Sequence, residues 1–446
     1  MKSFSKKLYL ILALIICAVL LCSCSLDFLQ NWGKGGNSTS SGNGDGSDNN
    51  GEFIQNPLEP LSTFLNIAVV MTFSDSSFTS DELANIDSNF NGGGNSLKQY
   101  YSDISYGSLD LETVYVFVTS NKTVAYFKAL GLSGSSNQVT FVQQLLNNKT
   151  YTVYKDVNKT EAYDPTTDGK LDNFKAGYID CVTLLIPATV QNTTADGNSA
   201  LWPHTVFYSK NIGKFEKLNY DRFIVFPYNM QILGSKATPT KNLTCPVGII
   251  CHEMMHNLGN DIGINDLYHY DDKTDPNFAN LNPVGIYDIM AYTDYETPQQ
   301  VNMYYKYLLG FATLTEYNSD EPASIKLTDP TGIKFGDNGK GEFFIAEYYS
   351  ACTISGYSVS AGILIFRVNS NVNTGNSSKL NGQVNDQIFI FRTKTDSNYN
   401  QPNFPAIFAS GSTFDGLTYS DGTSANLKVS MSFDNKNFQI TVGQKT

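Results

Sequence analysis

Five consecutive residues of this 446-residue chain could hold a metal ion and put it to use: His252-Glu253-Met254-Met255-His256. On a helix, residues four apart share a face, so the imidazoles of His252 and His256 can reach one ion. Glu253, one position along, can serve water on that ion as a general base. Zinc suits this donor set. It lowers the pKa of its water from 15.7 to about 7 and can polarise a peptide carbonyl. The chain has only four histidines, and His252, His256 and His269 fall within one short stretch. That concentration argues against a chance match.

The elements that must position these groups can be read from the pattern around them. Val247, Ile250, Cys251, Met254, Met255 and Leu258 recur at helical spacing behind Pro246, predicting a helix that carries the five residues. Upstream, Leu65 to Phe73, Cys181 to Ile186 and Phe223 to Phe226 read as buried strands. Ser96 to Tyr101 reads as a helix leading into Ser105-Tyr106-Gly107 and the alternating Leu109, Leu111 and Val114. Beyond about Leu327 the chain returns to strands and turns. Phe343 to Ile345, Gly362 to Val368 and Phe438 to Val442 stand out. The expected class is α+β, with a catalytic domain over 56–315 and a β-sandwich-like domain over 316–446.

The segment His252-Glu253-Met254-Met255-His256-Asn257-Leu258-Gly259 through Asp266-Leu267-Tyr268 resembles the immune inhibitor A family of bacterial secreted metallopeptidases. Val284-Gly285-Ile286-Tyr287-Asp288-Ile289-Met290-Ala291 is similar to that family's Gly-x-Trp-Asp-x-Met segment, with Tyr287 in place of Trp. Pro298 and Tyr304 to Phe311 look like the helix that follows. Looser similarities lie at Tyr100-Tyr101, Ser105 to Gly107, Trp202-Pro203-His204, Glu342 to Tyr348 and Ala361 to Val368. The resemblance spans roughly residues 64 to 370. It implies a zincin of metzincin-like build, with a mixed sheet, an active-site helix and a Met-turn at Met290 beneath the metal.

It also implies that a glycine after the helix turns the chain back to deliver a third ligand. The family pattern places an Asp three residues after that glycine, but here Ile262 follows Gly259 at that distance. About four extra residues intervene, and Gly263-Ile264-Asn265-Asp266 restores the spacing. Asp266 is the expected third ligand, with Asp261 and His269 as alternatives. His204 is a candidate for substrate or transition-state contact, or a histidine that supports the fold. Tyr292, two residues past Met290, could hydrogen-bond a tetrahedral oxyanion or simply pack. Asp164 to Asp172 is spaced somewhat like a calcium loop but lacks its alternating ligands and closing Glu, so a plain turn is the stronger reading and Ca2+ the weaker.

The first residues form a targeting segment. Lys2, Lys6 and Lys7 precede an apolar run from Leu8 to Leu21, shorter than a spanning helix requires. Leu21-Cys22-Ser23-Cys24 resembles a bacterial lipobox, which makes 1–24 a lipoprotein signal peptide and Cys24 the lipidated residue. Residues 25–55 then form a Gly-, Ser- and Asn-rich tether. The expected location is extracytoplasmic, anchored to the membrane by lipid on Cys24, with plain secretion as the alternative. The four cysteines beyond this segment, Cys181, Cys245, Cys251 and Cys352, are too few for a disulfide framework, and a Cys245–Cys251 bridge stays open. A net charge of -12 argues against a nucleic-acid partner. Protein or peptide substrates and a monomer are expected. The competing reading is an inactive peptidase fold serving as a surface adhesin or binding scaffold, which would have no need of Glu253.

Overall fold

The computed structural model describes residues 57, 62–129, 149–168, 181–187, 206–208, 214–215, 223–229, 247–259, 262–269, 283–294, 296–317, 322–373, 375–376, 379–380, 383–384, 386–393 and 405–445. They form a mixed α+β protein. It divides into two compact units, one built on 63–98 and 111–246, the other on 99–110 and 247–446. No helix among the described residues is long and apolar enough to cross a membrane.

The first unit is organised by a five-stranded sheet. Its strands are β1 (Thr63–Thr72), β2 (Asp110–Thr119), β3 (Cys181–Ile186), β4 (Val206–Tyr208) and β5 (Phe223–Asn229), in the order β2-β1-β3-β5-β4. β1 pairs in parallel with β3 and β3 with β5, while β4 runs antiparallel to β5 at the edge. β1 is buried from Phe64 to Met71, as its largely apolar run requires of a strand covered on both faces. Asn66 is the polar exception. It donates to Thr113 Oγ1 (3.2 Å) and accepts from Thr183 Oγ1 (2.8 Å), so its amide has partners on both neighbouring strands. Helix α1 (Ser80–Asn91) opens with a reciprocal cap between Thr79 and Glu82. It is held to β2 by Asn91, which exchanges hydrogen bonds with the Thr113 backbone.

The second unit contains the predicted helix, α3 (Val247–Leu258), in which every residue except Ile249 is buried. A helix with so little exposed surface is a core element, consistent with its wide apolar face. Helix α2 (Leu97–Ile104) contributes Tyr101, whose hydroxyl donates to the Cys251 carbonyl of α3 at 2.8 Å. Its neighbour Tyr100 donates to the Gln299 carbonyl at 3.0 Å. At the start of α3, a Cβ on Gly248 would stand 1.8 Å from the Asp294 carbonyl oxygen, so only glycine permits that approach. Helix α4 (Met303–Leu308) is capped by Asn302, which accepts from the Tyr305 N–H.

Two further sheets complete this unit. One runs β11-β10-β9-β8-β6, from β6 (Thr313–Glu316), β8 (Thr331–Phe335), β9 (Glu342–Tyr349), β10 (Gly362–Asn369) and β11 (Ile388–Ile390), with β12 (Ile407–Phe408) also on β10. The other is antiparallel and runs β13-β14-β15-β7, from β7 (Ala323–Lys326), β13 (Thr413–Phe414), β14 (Leu427–Phe433) and β15 (Asn437–Gln444). Alternate residues of both sheets meet in one apolar core. Phe344, Ala346, Ile363 and Ile365 come from the first, and Val429, Met431, Phe438 and Ile440 from the second. β10, largely apolar but for Arg367 and Asn369, is buried along its whole length.

Candidate metal centre

α3 presents His252 and His256 as its helical spacing dictates, with ring centroids 5.0 Å apart. Asp266 faces both of them. Its Oδ1 lies 3.2 Å from His252 Nε2 and 3.3 Å from His256 Nε2. The three donors lie within 4.8 Å of one another, and all three residues are buried. Among the described residues this is the one such group of His, Cys, Asp or Glu that could hold an ion.

The chain folds back to make this possible at Gly259. The N–H groups of Ile262 and Ile264 both reach the Gly259 carbonyl, at 3.2 and 3.1 Å. A Cβ on Gly259 would fall 2.4 Å from the Ile264 Cβ, so a side chain there would push the returning segment away. Gly263 then takes a φ of 70°, in the left-handed region that favours glycine. The returning segment is pinned by Leu267, whose N–H donates to the Met290 carbonyl at 2.8 Å.

Each imidazole is oriented by a backbone carbonyl. His252 Nδ1 lies 2.9 Å from Ile289 O, and His256 Nδ1 lies 3.2 Å from Ile264 O. A carbonyl can only accept, so Nδ1 carries a proton in each ring, and in the neutral imidazole the Nε2 lone pair is left free to bind an ion. Thr293 reinforces this at His252, with its Oγ1 3.3 Å from Nδ1 and donating to Ile289 O at 3.1 Å. Met290 is fully buried, its carbonyl accepts from the Leu267 N–H, and its own N–H donates to Asp288 Oδ1 at 2.7 Å. Asp288 also accepts from the backbone and side-chain nitrogens of Asn302, tying the turn to α4. Burial pushes the Asp288 carboxyl upward against these three hydrogen bonds.

The electrostatics of the trio favour positive charge at its centre. Burial pushes His252 down, but the hydrogen bond and charge of Asp266, then the charge of Glu253, outweigh it and raise the ring to about 9. Burial opposes ionisation of Asp266, yet the neighbouring imidazoles hold its carboxyl well below the usual range. His256 Nε2 is buried and makes no hydrogen bond of acceptable geometry. A divalent cation answers all three conditions at once. With metal–ligand lengths of about 2.0–2.2 Å and tetrahedral angles, donors on one zinc stand roughly 3.3–3.5 Å apart. The observed 3.2 and 3.3 Å are close to that spacing. Glu253, next to His252 on the helix, is itself buried.

The other predicted residues divide. His269 pairs with Asp386 at 2.6 Å, both side chains buried, and stands outside the trio. Tyr292 is half-buried in the turn after Met290, and its N–H donates to the Asp288 carbonyl at 3.1 Å. In the loop considered for calcium, Asp168 Oδ1 is 2.7 Å from Lys155 Nζ and Oδ2 accepts from the Asp164 N–H, so both oxygens have protein partners. Gly169 to Asp172 lie outside the described residues, as do Cys24, His204, Cys245 and Asp261. Sequence reasoning gave no role to Asp288 and Thr293. The first lies within the Gly-Ile-Tyr-Asp-Ile-Met stretch and was legible there in principle. Thr293 carried no signal.

Residues 69–300 match the family described as immune inhibitor A peptidase M6, catalytic domain. No curated protein matches the chain. Among solved structures, wild-type OgpA from Akkermansia muciniphila is 12% identical, covering 88% of this chain and 96% of that one, with a TM-score of 0.29. Catalytically inactive OgpA in complex with an O-glycopeptide (glycodrosocin) substrate is 11% identical, covering 72% and 89%, also with a TM-score of 0.29. With just over half of its length matched by the family's catalytic domain, this chain belongs to the immune inhibitor A family of M6 metallopeptidases.

Proposed function

We propose that the chain is a zinc-dependent endopeptidase that cleaves proteins outside the cell. The observation that carries this reading is the convergence of His252, His256 and Asp266 around one point, with Glu253 beside them on the helix. The two histidines and Asp266 would hold the ion. Zinc, when bound, supplies Lewis acidity toward water and toward a peptide carbonyl. Glu253 accepts the proton of the attacking water and passes it to the leaving amine nitrogen. Tyr292 is proposed to hydrogen-bond the developing oxyanion, and His204 to line the substrate path.

The finer architecture belongs to the same proposal. We assign a zincin-type domain with a Met-turn at Met290 to residues 56–315, and a β-sandwich-like domain to 316–446. Residues 1–24 act as a lipoprotein signal, Cys24 carries the lipid, and 25–55 tether a monomer to the membrane surface. The test is metal analysis of the purified chain together with cleavage of casein or gelatin. About one zinc per chain and cleavage abolished by a chelator, then restored by zinc, are expected. Bound zinc with no cleavage of either protein would favour the scaffold reading.

A further inference from the structure

We propose that Asn376, together with Gly375, is a positioning element for the third ligand Asp266. The metal centre is then completed by a loop outside residues 69–300, the part of the chain that matches the family's catalytic domain. This rests on the reading of His252, His256 and Asp266 as metal ligands.

The loop grips the backbone that bears the ligand. The Asn376 N–H donates to the Asp266 carbonyl oxygen at 2.8 Å. The Asn376 side chain, fully buried, donates through Nδ2 to Ile388 O (2.7 Å) and Leu267 O (3.3 Å) and accepts at Oδ1 from the Ile388 N–H (3.1 Å). Its amide is therefore fixed by β11 on one side and grips the residue after the ligand on the other. Gly375 makes room for this contact. Its φ is +63°, and a Cβ there would stand 2.2 Å from Asp266 O and 3.0 Å from Asn265 Cβ. One step earlier, Asn265 Nδ2 donates to Asn373 O at 2.8 Å. The opposite side of the segment is held by the Leu267–Met290 hydrogen bond. The hydrogen bonds from Asn376 to Asp266 O and from Leu267 to Met290 O thus restrain the backbone that bears Asp266, and ligand constellations tolerate errors of only about 0.5 Å.

A merely structural Asn376 would support folding without affecting the metal. The two roles separate if the zinc dissociation constant of the full chain, from competition with a chromophoric chelator, is measured beside the melting temperature of the metal-free chain. The absorption of the cobalt-substituted protein reports ligand geometry independently. Asn376→Ala and Gly375→Ala are expected to weaken zinc binding about 10- to 100-fold, the range for partners that orient metal ligands, and to alter the cobalt spectrum. Val429→Ala, in the core shared by the two sheets, should lower the melting temperature and leave zinc affinity and the cobalt spectrum unchanged. Asn265→Ala, at a partly exposed position, should weaken zinc binding to a smaller degree and decides the matter where the buried variants do not fold. Zinc affinity unchanged in Asn265→Ala and in whichever buried variants fold would overturn the clamp alone. A wild-type chain that takes up no zinc would instead overturn the ligand reading, and the clamp with it.

Discussion

The Nδ1 of His252 lies 2.9 Å from the carbonyl oxygen of Ile289, so the residue just before Met290 determines which nitrogen of the first histidine faces Asp266. The turn thus acts on the metal centre through its backbone as well as by packing. Its position is fixed in turn by Asp288, which gathers the Met290 N–H and two donors of Asn302. A ligand and the cap of α4 are thereby joined through one buried carboxylate.

Asp266→Asn changes one oxygen for an amide of the same shape. An amide is a poor zinc ligand beside a carboxylate, and it removes the negative charge that raises His252 to about 9. Zinc affinity should fall by more than the roughly 10- to 100-fold typical of an outer-shell partner. Equilibrium dialysis measures this directly, and full retention of zinc would shift the assignment to Asp261.

Glu253→Ala leaves both imidazoles and Asp266 in place. Zinc content should remain at the wild-type level while casein cleavage drops about 10²- to 10⁴-fold, the range for loss of a general base. Metal analysis and turnover on the same preparation check both halves. Unchanged turnover would remove Glu253 from the mechanism.

Gly259→Ala tests the return of the chain after the helix. The added methyl would overlap Ile264, whose nearest atoms lie 2.4–2.6 Å from that point. Overpacking of this kind costs about 1–3 kcal/mol. Because the Ile264 carbonyl orients His256, the displacement should weaken zinc binding as well as stability. A lowered melting temperature with wild-type zinc affinity would show that the turn only supports the fold.

What the sequence revealed of this site follows from how local each signal is. His252 and His256 are related by one helical turn, so their shared face is visible in the spacing alone. Asp266 sits beyond an insertion, and it became readable because Gly263 restores the spacing, an Asp three residues after a glycine, that the family resemblance implies. Largely apolar runs such as Leu65 to Phe73 and Gly362 to Val368 announced the buried strands β1 and β10. Asn376 offered nothing of the kind. Its importance comes from contacts with Asp266, Leu267 and Ile388, and no periodic pattern encodes a hydrogen bond across more than a hundred residues. The pairing of His269 with Asp386 was hidden for the same reason.

Lys306 in α4 and Glu347 in β9 are both buried. Burial pushes Glu347 up to about 8, against the pull of Lys306, and burial lowers Lys306 in turn. Lys306 Nζ also donates to Gln300 Oε1 at 2.7 Å and lies 5.3 Å from the centre of the Tyr106 ring. For an acid whose pKa is raised on folding, the folded state binds the extra proton. Its contribution is complete below the ordinary Glu value of 4.5 and is lost as pH rises through about 8. The lowered pKa of Lys306 acts oppositely, below its ordinary value of 10.5. Glu347→Gln removes the first effect. The melting temperature of the metal-free variant should fall less steeply than that of the wild type between about pH 5 and 8. Parallel melting curves across that range would show that Glu347 is already ionised there in the folded chain.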